Sequence, residues 1–106
     1  MEYSFELVNI EKERADGQHY ARMVYTFAIS NGFAKTLADV VLTEAGTEII
    51  EQKGKDPQTA AKIVLERLLK QGRNPFETQI LLTVPYGHAE YFARFGNYET
   101  LPTLGV

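Results

Sequence analysis

The side chains best suited to proton-transfer chemistry in this sequence are its two histidines, His19 and His88. Imidazole titrates near neutral pH, so His88 is a candidate general base if Tyr86 or a carboxylate from another element orients it. The run His88-Ala89-Glu90 has the His-x-Glu spacing of zinc deaminases, but those enzymes complete their zinc shell with cysteines, and this chain has none. Because glycine-rich phosphate-binding motifs are absent as well, the sequence predicts no metal and no cofactor. We favour a partly buried, structural role for His88 over a catalytic one.

A basic segment lies in the middle of an otherwise acidic chain. Residues 53–73 contain six basic and two acidic side chains, whereas the whole chain has a net charge of −3 and a pI near 5.3. Lys62, Lys70 and Arg73 fall within about 80° of one another on the helix expected there, which makes them a candidate anion-binding face. Glu66 interrupts that face and is spaced for an ion pair with Lys70, as on an ordinary solvated surface. The acidic remainder of the chain disfavours nucleic acid as a partner.

Aromatic residues are concentrated near the carboxyl-terminal end of the chain. Five of the twelve aromatic side chains fall within 13 residues, namely Tyr86, Tyr91, Phe92, Phe95 and Tyr98. Phe92 and Phe95 share a helical face and are expected in the core. A small sheet does not bury all five rings, so Tyr86, Tyr91 and Tyr98 are predicted to contact a partner, either a second copy of this chain or another protein.

The composition also excludes several classes of protein. Without cysteine the chain has no disulfide, no thiolate metal site and no cysteine nucleophile. No apolar run approaches the roughly 20 residues that span a bilayer. The acidic start lacks the basic and then apolar segments of a secretory signal. We therefore expect a cytoplasmic protein that does not enter the membrane.

Three stretches in the first part of the chain alternate between apolar and polar residues, as half-buried strands do. They run from Tyr3 to Ile10, from His19 to Ser30 and from Phe33 to Leu42. Asp16-Gly17 and Asn31-Gly32 are turn dipeptides that join such strands in hairpins. The odd-numbered apolar residues of the second strand should face the core. These signals predict a three-stranded antiparallel meander.

Two helices are predicted after the meander from their capping residues. Thr43 can cap a short first helix that runs toward Gly54. Asp56 followed by Pro57 is a strong start for a second helix, because proline fits the first helical position. Gly72 provides a left-handed stop for that second helix.

The last third of the chain is harder to assign. Asn74-Pro75-Phe76-Glu77 has the pattern of a capping box, so residues 76–82 are predicted as helix, with strand as the alternative because of Ile80 and the residues after it. Thr83 and Pro85 are expected to open a last helix, which Gly96 ends. The tail, residues 97–106, is predicted to be irregular.

The order of these elements resembles that of a group of small uncharacterised bacterial α+β proteins. The residues that carry the resemblance are Asn74-Pro75-Phe76-Glu77, Ile80-Leu81, Glu90-Tyr91-Phe92 and Tyr98-Glu99. In that group a strand meander precedes helices that contain similar runs, so the resemblance implies a fold. It implies no activity and no cofactor. The chain departs from the pattern at Val84-Pro85-Tyr86-Gly87, where the last helix is expected to begin.

The sequence as a whole predicts a single α+β domain over residues 1–106. A three-stranded antiparallel meander over residues 1–43 is followed by a helical part over 44–96, whose three to four helices pack on one face of the sheet. The expected function is that of a non-catalytic interaction or regulatory module, which self-associates or binds a protein through its carboxyl-terminal aromatic residues. The alternatives are a small enzyme that uses His88 and a weak nucleic-acid-binding protein that uses the basic helix face.

Overall fold

Four strands and three helices make up the part of the chain that the computed structural model describes, residues 2–13 and 21–96. In chain order they are β1 (Ser4–Glu13), β2 (Arg22–Ser30), β3 (Lys35–Thr43), α1 (Glu44–Gln52), α2 (Pro57–Lys70), β4 (Ile80–Val84) and α3 (Tyr86–Phe95). The strands form one sheet in the order β1-β2-β3-β4. The pairs β1–β2 and β2–β3 are antiparallel, whereas β3 and β4 are parallel. The fold is therefore α+β with a mixed sheet.

A tight turn joins β2 to β3 where Asn31-Gly32 predicted a hairpin. The Asn31 side-chain oxygen accepts hydrogen bonds from the backbone N–H groups of Phe33 and Ala34, at 2.9 and 2.8 Å. Gly32 adopts a φ of 93°, which a residue with a Cβ atom rarely tolerates. The second hairpin is thus confirmed. The turn predicted at Asp16-Gly17 lies outside the described residues.

Capping residues begin the first two helices at the predicted positions. The Thr43 hydroxyl accepts a hydrogen bond from the N–H of Gly46 at 3.0 Å, which caps α1. The Asp56 carboxylate does the same for Gln58 at the start of α2, also at 3.0 Å. After α2 the chain reverses at Gly72, whose φ is 103°. These boundaries follow from local hydrogen bonding, so they were predictable from the sequence.

The helix predicted over residues 76–82 is wrong. The Asn74 side chain does accept a hydrogen bond from the N–H of Phe76, at 2.9 Å, but only a turn follows it. From Ile80 to Val84 buried and exposed side chains alternate strictly, which is the period of a strand. These residues form a strand because they pair with the edge of β3, and that pairing outweighs the local capping signal for a helix. The sheet therefore has four strands rather than three.

Burial confirms which residues of β2 face the helices. Tyr25, Phe27 and Ile29 are buried and belong to the main hydrophobic cluster. The even-numbered residues of β3 and β4 join them there, namely Ala38, Val40, Leu42, Ile80, Leu82 and Val84. The helices add buried residues to the same cluster, among them Ile50, Val64, Leu65, Leu68 and Phe92. The core therefore lies on one side of the sheet.

The other side of the sheet, which we call the open face, carries no helix in the described part of the chain. The described side chains that are buried on the open face are those of Val24 and Val41, which pair directly across β2 and β3. The Thr26 hydroxyl donates a hydrogen bond to the Asp39 carboxylate at 2.6 Å across the same two strands. Two leucines of this face, Leu37 and Leu81, are largely exposed.

Candidate functional site

Helix α3, which carries the predicted partner residues, is anchored by close packing against α1. Ala89, Phe92 and Ala93 are its buried residues. A Cβ atom on Gly46 of α1 would lie 3.1 Å from the Cβ of Ala89, so the missing side chain lets the two helices approach closely. The Lys55 ammonium donates a hydrogen bond of 2.8 Å to the backbone oxygen of Ala93 and so complements the carboxyl end of the helix dipole. The helix is thus fixed in position and in rotation.

The opposite side of α3 presents a pair of contacting aromatic rings. The ring centroids of Tyr91 and Phe95 are 4.6 Å apart and the rings are tilted by 46°. Phe95 is 55% exposed and Tyr91 is partly buried. The guanidinium of Arg94 lies 5.9 Å from the centroid of the Phe95 ring, within range of a cation–π contact. We call Tyr91, Phe95 and Arg94 the α3 aromatic surface.

The expectation that Phe95 lies in the core is therefore wrong. On a helix with about 100° per residue, Phe95 points about 160° away from the buried Ala93. Two small residues four positions apart, Ala89 and Ala93, mark the side of closest approach. That spacing is the signal in the sequence that could have placed Phe95 outside.

Two of the three tyrosines predicted to bind a partner, Tyr86 and Tyr91, lie on different sides of α3. Tyr86 is 43% exposed, but it lies at the other end of α3, about 140° around the helix from Tyr91. Tyr98 lies outside the described residues. Of these two described tyrosines, Tyr91 belongs to the α3 aromatic surface.

His88 is placed in the first turn of α3, with one ring nitrogen out of reach of solvent. Its Nδ1 is buried and has no hydrogen-bond partner within the described residues. Burial lowers the pKa of His88 below its ordinary value of 6.5, and the positive charge of Arg67 lowers it further. His88 lines none of four clefts of about 340 to 560 Å³ whose lining residues are all described. The imidazole is thus held neutral near pH 7, beside a cation rather than the carboxylate that a general base would use.

The basic residues predicted to bind an anion do not line a common cleft. Lys62, Lys70 and Arg73 are all exposed. Lys70 borders a cleft of about 340 Å³ with Glu2, Tyr3, Phe5, Glu66 and Leu69. Arg73 borders another of about 520 Å³ with Tyr3, Asn31, Ala34, Leu69, Gly72, Asn74 and Phe76. Lys62 lines neither cleft, so the three cations do not converge on one site.

An aromatic pair that sequence reasoning did not single out lies in this region. The Tyr3 and Phe76 rings are nearly parallel, at 28°, with centroids 6.4 Å apart. At the neighbouring hairpin tip Phe33 is 99% exposed. The sequence signal for this exposed ring was the position of a large aromatic residue directly after Asn31-Gly32, because polar and small residues are usual in turns.

Within residues 2–13 and 21–96, no group of three or more histidine, aspartate or glutamate side chains is arranged to hold a metal ion. No helix in that part of the chain is long and apolar enough to cross a membrane.

Comparison of the chain with protein-family models, with curated proteins and with solved structures finds no match in any of the three.

Proposed function

We propose that this protein is a non-catalytic cytoplasmic interaction module that associates with a second copy of itself, or with another protein, through the α3 aromatic surface. The observation that supports the proposal is the exposed ring of Phe95 in contact with Tyr91. Tyrosine, phenylalanine and arginine are enriched in the cores of protein interfaces, where rings supply apolar contact area and the polar groups meet residual water.

The α3 aromatic surface is also well prepared to bind. Its rings stand on a helix that Gly46, Ala89 and the Lys55 hydrogen bond hold in position. Rings that are already in contact lose little conformational entropy when a partner covers them. Complete burial of a phenylalanine side chain is worth about 1.5–3 kcal/mol, and roughly half of that gain is still available at Phe95.

The two alternative functions have less support in the geometry. An enzyme built on His88 would need a concave site with a carboxylate, and the nearby charge that acts on His88 is that of Arg67. Nucleic-acid binding through Lys62, Lys70 and Arg73 would need a continuous positive surface, and Lys70 shares its cleft with Glu2 and Glu66.

The proposal predicts that removal of the two rings weakens self-association. The double variant Tyr91→Ala/Phe95→Ala should raise the dimer dissociation constant at least about tenfold, because buried aromatic residues are typical hot spots. Analytical ultracentrifugation over a range of concentrations measures the constant.

The matched control is Phe33→Ala, which removes an exposed ring at the opposite end of the sheet. It should leave the dissociation constant within about twofold. An equal effect of both variants would mean that general surface hydrophobicity, rather than the α3 aromatic surface, drives association. A chain that stays monomeric up to about 100 μM would reject self-association.

A further inference from the structure

The two edges of the sheet differ in how they are protected against pairing with another strand. β1 and β4 are the outer strands, and an outer strand presents unpaired backbone N–H and C=O groups along its free side. Within the described residues, the one strand that pairs with β4 is β3. The free side of β4 is therefore a template for a further strand.

β1 has the features by which proteins prevent pairing at an edge. Its register shifts between Leu7 and Asn9, which marks an irregularity such as a bulge. Its sequence carries four charged side chains within ten residues, at Glu6, Glu11, Lys12 and Glu13. Charge and irregularity both disfavour an additional strand there.

β4 has none of these protections. Its five residues, Ile80–Val84, include no charge and no proline, and their pairing with β3 runs without a register shift. Leu81 is 66% exposed on the open face, and the β-branched residues among the five favour strand pairing.

We propose that β4 pairs antiparallel with β4 of a second copy, so that two four-stranded sheets become one continuous sheet of eight strands. A two-fold axis at Leu82 places Leu81 of each copy opposite Thr83 of the other, and Ile80 opposite Val84. Every cross-strand pair in this register is uncharged, and pairs of apolar and β-branched residues stabilise sheets. The inference rests on the self-association in the proposed function and specifies how the sheet takes part in it.

A second copy fits this edge better than a foreign extended peptide does. Peptides that add a strand to a sheet edge obtain specificity from pockets for alternate side chains. Four clefts of about 340 to 560 Å³, whose lining residues are all described, contain no residue of β4. The strand is instead complementary to itself, and Pro85 alone separates it from α3, which carries the α3 aromatic surface.

Two exposed leucines on the same face of the sheet provide the test. Leu81→Lys introduces two ammonium groups close to the two-fold axis, where they repel each other and hinder pairing. Leu37 is 53% exposed on the open face but belongs to the interior strand β3, so Leu37→Lys is the matched control. In analytical ultracentrifugation, Leu81→Lys should raise the dimer dissociation constant at least about tenfold, and Leu37→Lys should change it less than about twofold.

Edge pairing, packing through the open faces and the absence of dimerisation predict different results. Equal weakening by both lysine variants would indicate dimers packed through their open faces, which overturns edge pairing. No weakening by Leu81→Lys, or a wild-type chain that never dimerises, overturns it too. As a second measurement, backbone amides of β4 should exchange with solvent at least about tenfold more slowly above the dissociation constant than below it. Unchanged exchange would likewise overturn edge pairing.

The same measurements keep this inference distinct from the proposed function. If Tyr91→Ala/Phe95→Ala dissociates the dimer while Leu81→Lys does not, self-association through the α3 aromatic surface is supported and edge pairing is rejected. If Leu81→Lys dissociates the dimer while Tyr91→Ala/Phe95→Ala does not, edge pairing stands and the α3 aromatic surface has no part in self-association.

Discussion

The fold accommodates His88, a partly buried polar residue, in its neutral form. Its Nδ1 is buried without a hydrogen bond in the described part of the chain. A neutral imidazole tolerates this far better than a charged one, because charge raises the cost of leaving water. Burial and Arg67 accordingly lower the pKa of His88. The residue is therefore compatible with the fold as long as it stays unprotonated.

The lowered pKa of His88 predicts a dependence of stability on pH. In the unfolded chain His88 regains its ordinary pKa of 6.5, so just below that pH the unfolded state binds more protons than the folded state. The stability linked to neutral His88 should be fully present above about pH 6.5. It should be lost as the pH decreases from there through the lower pKa of the folded state.

Urea unfolding between about pH 7.5 and pH 5 measures this dependence, with His88→Asn as the comparison. His19 and every carboxylate are present in both chains, so the difference between their slopes reports His88 alone. The variant should lose less stability toward pH 5 than the wild type. Parallel pH profiles would show that His88 does not contribute.

At the scale of elements, the contact between α1 and α3 determines which side of α3 faces solvent. Gly46 and Ala89 meet at this contact, and Gly46 also donates its N–H to the capping Thr43. Phe95 is exposed and Tyr91 is partly buried because the small residues of α3 occupy the side of closest approach. The α3 aromatic surface therefore depends on a contact that lies outside it.

Gly46→Ala should destabilise the protein, although alanine favours helices. The new Cβ would lie 3.1 Å from both the Ala89 Cβ and the Thr43 hydroxyl oxygen, so α1 and α3 would have to separate. Overpacking of this kind costs about 1–3 kcal/mol, more than the gain of up to about 1 kcal/mol in helix propensity. We expect a net loss near 1 kcal/mol in urea unfolding.

Gly87→Ala is the matched control, because Gly87 also lies in a helix but a Cβ there meets nothing within 4 Å. It should raise stability by about 0.5 kcal/mol. Stabilisation by both substitutions would mean that the two helices are not in close contact at Gly46.

At the scale of the whole molecule, the sheet is a single layer with its main core on one side. The helices cover the side that carries Tyr25, Phe27 and Ile29. On the open face polar residues are mixed with the exposed Leu37 and Leu81. In the described part of the chain, one face of the sheet thus carries the main core, and the other leaves Leu37 and Leu81 exposed.

This asymmetry predicts unequal costs for two leucine truncations. Leu65 of α2 is completely buried, so Leu65→Ala should cost about 2–5 kcal/mol through lost burial and a cavity. Leu37→Ala on the open face should cost less than about 1 kcal/mol. Urea unfolding at a protein concentration below the dimer dissociation constant compares the two. Similar losses would show that the open face is also covered in the monomer.

The sequence alone determined the features that depend on neighbouring residues. Thr43, Asp56 and Gly72 mark helix ends, and Asn31-Gly32 marks a hairpin, because each acts through hydrogen bonds or backbone angles within a few positions of itself. The alternation in β2 also predicted its buried side, since strand geometry has a period of two.

Only the tertiary structure decided the features that depend on distant residues. Residues 80–84 became a strand because β3 offered a free edge about 40 positions earlier in the chain, against a local signal for helix. Phe95 is exposed because α1 packs on the opposite side of α3. Within the described residues, the position of β4 at an edge of the sheet likewise follows only from the order of the strands. Each of these outcomes depends on which surfaces meet in space, and contacts of that kind leave little trace in local patterns.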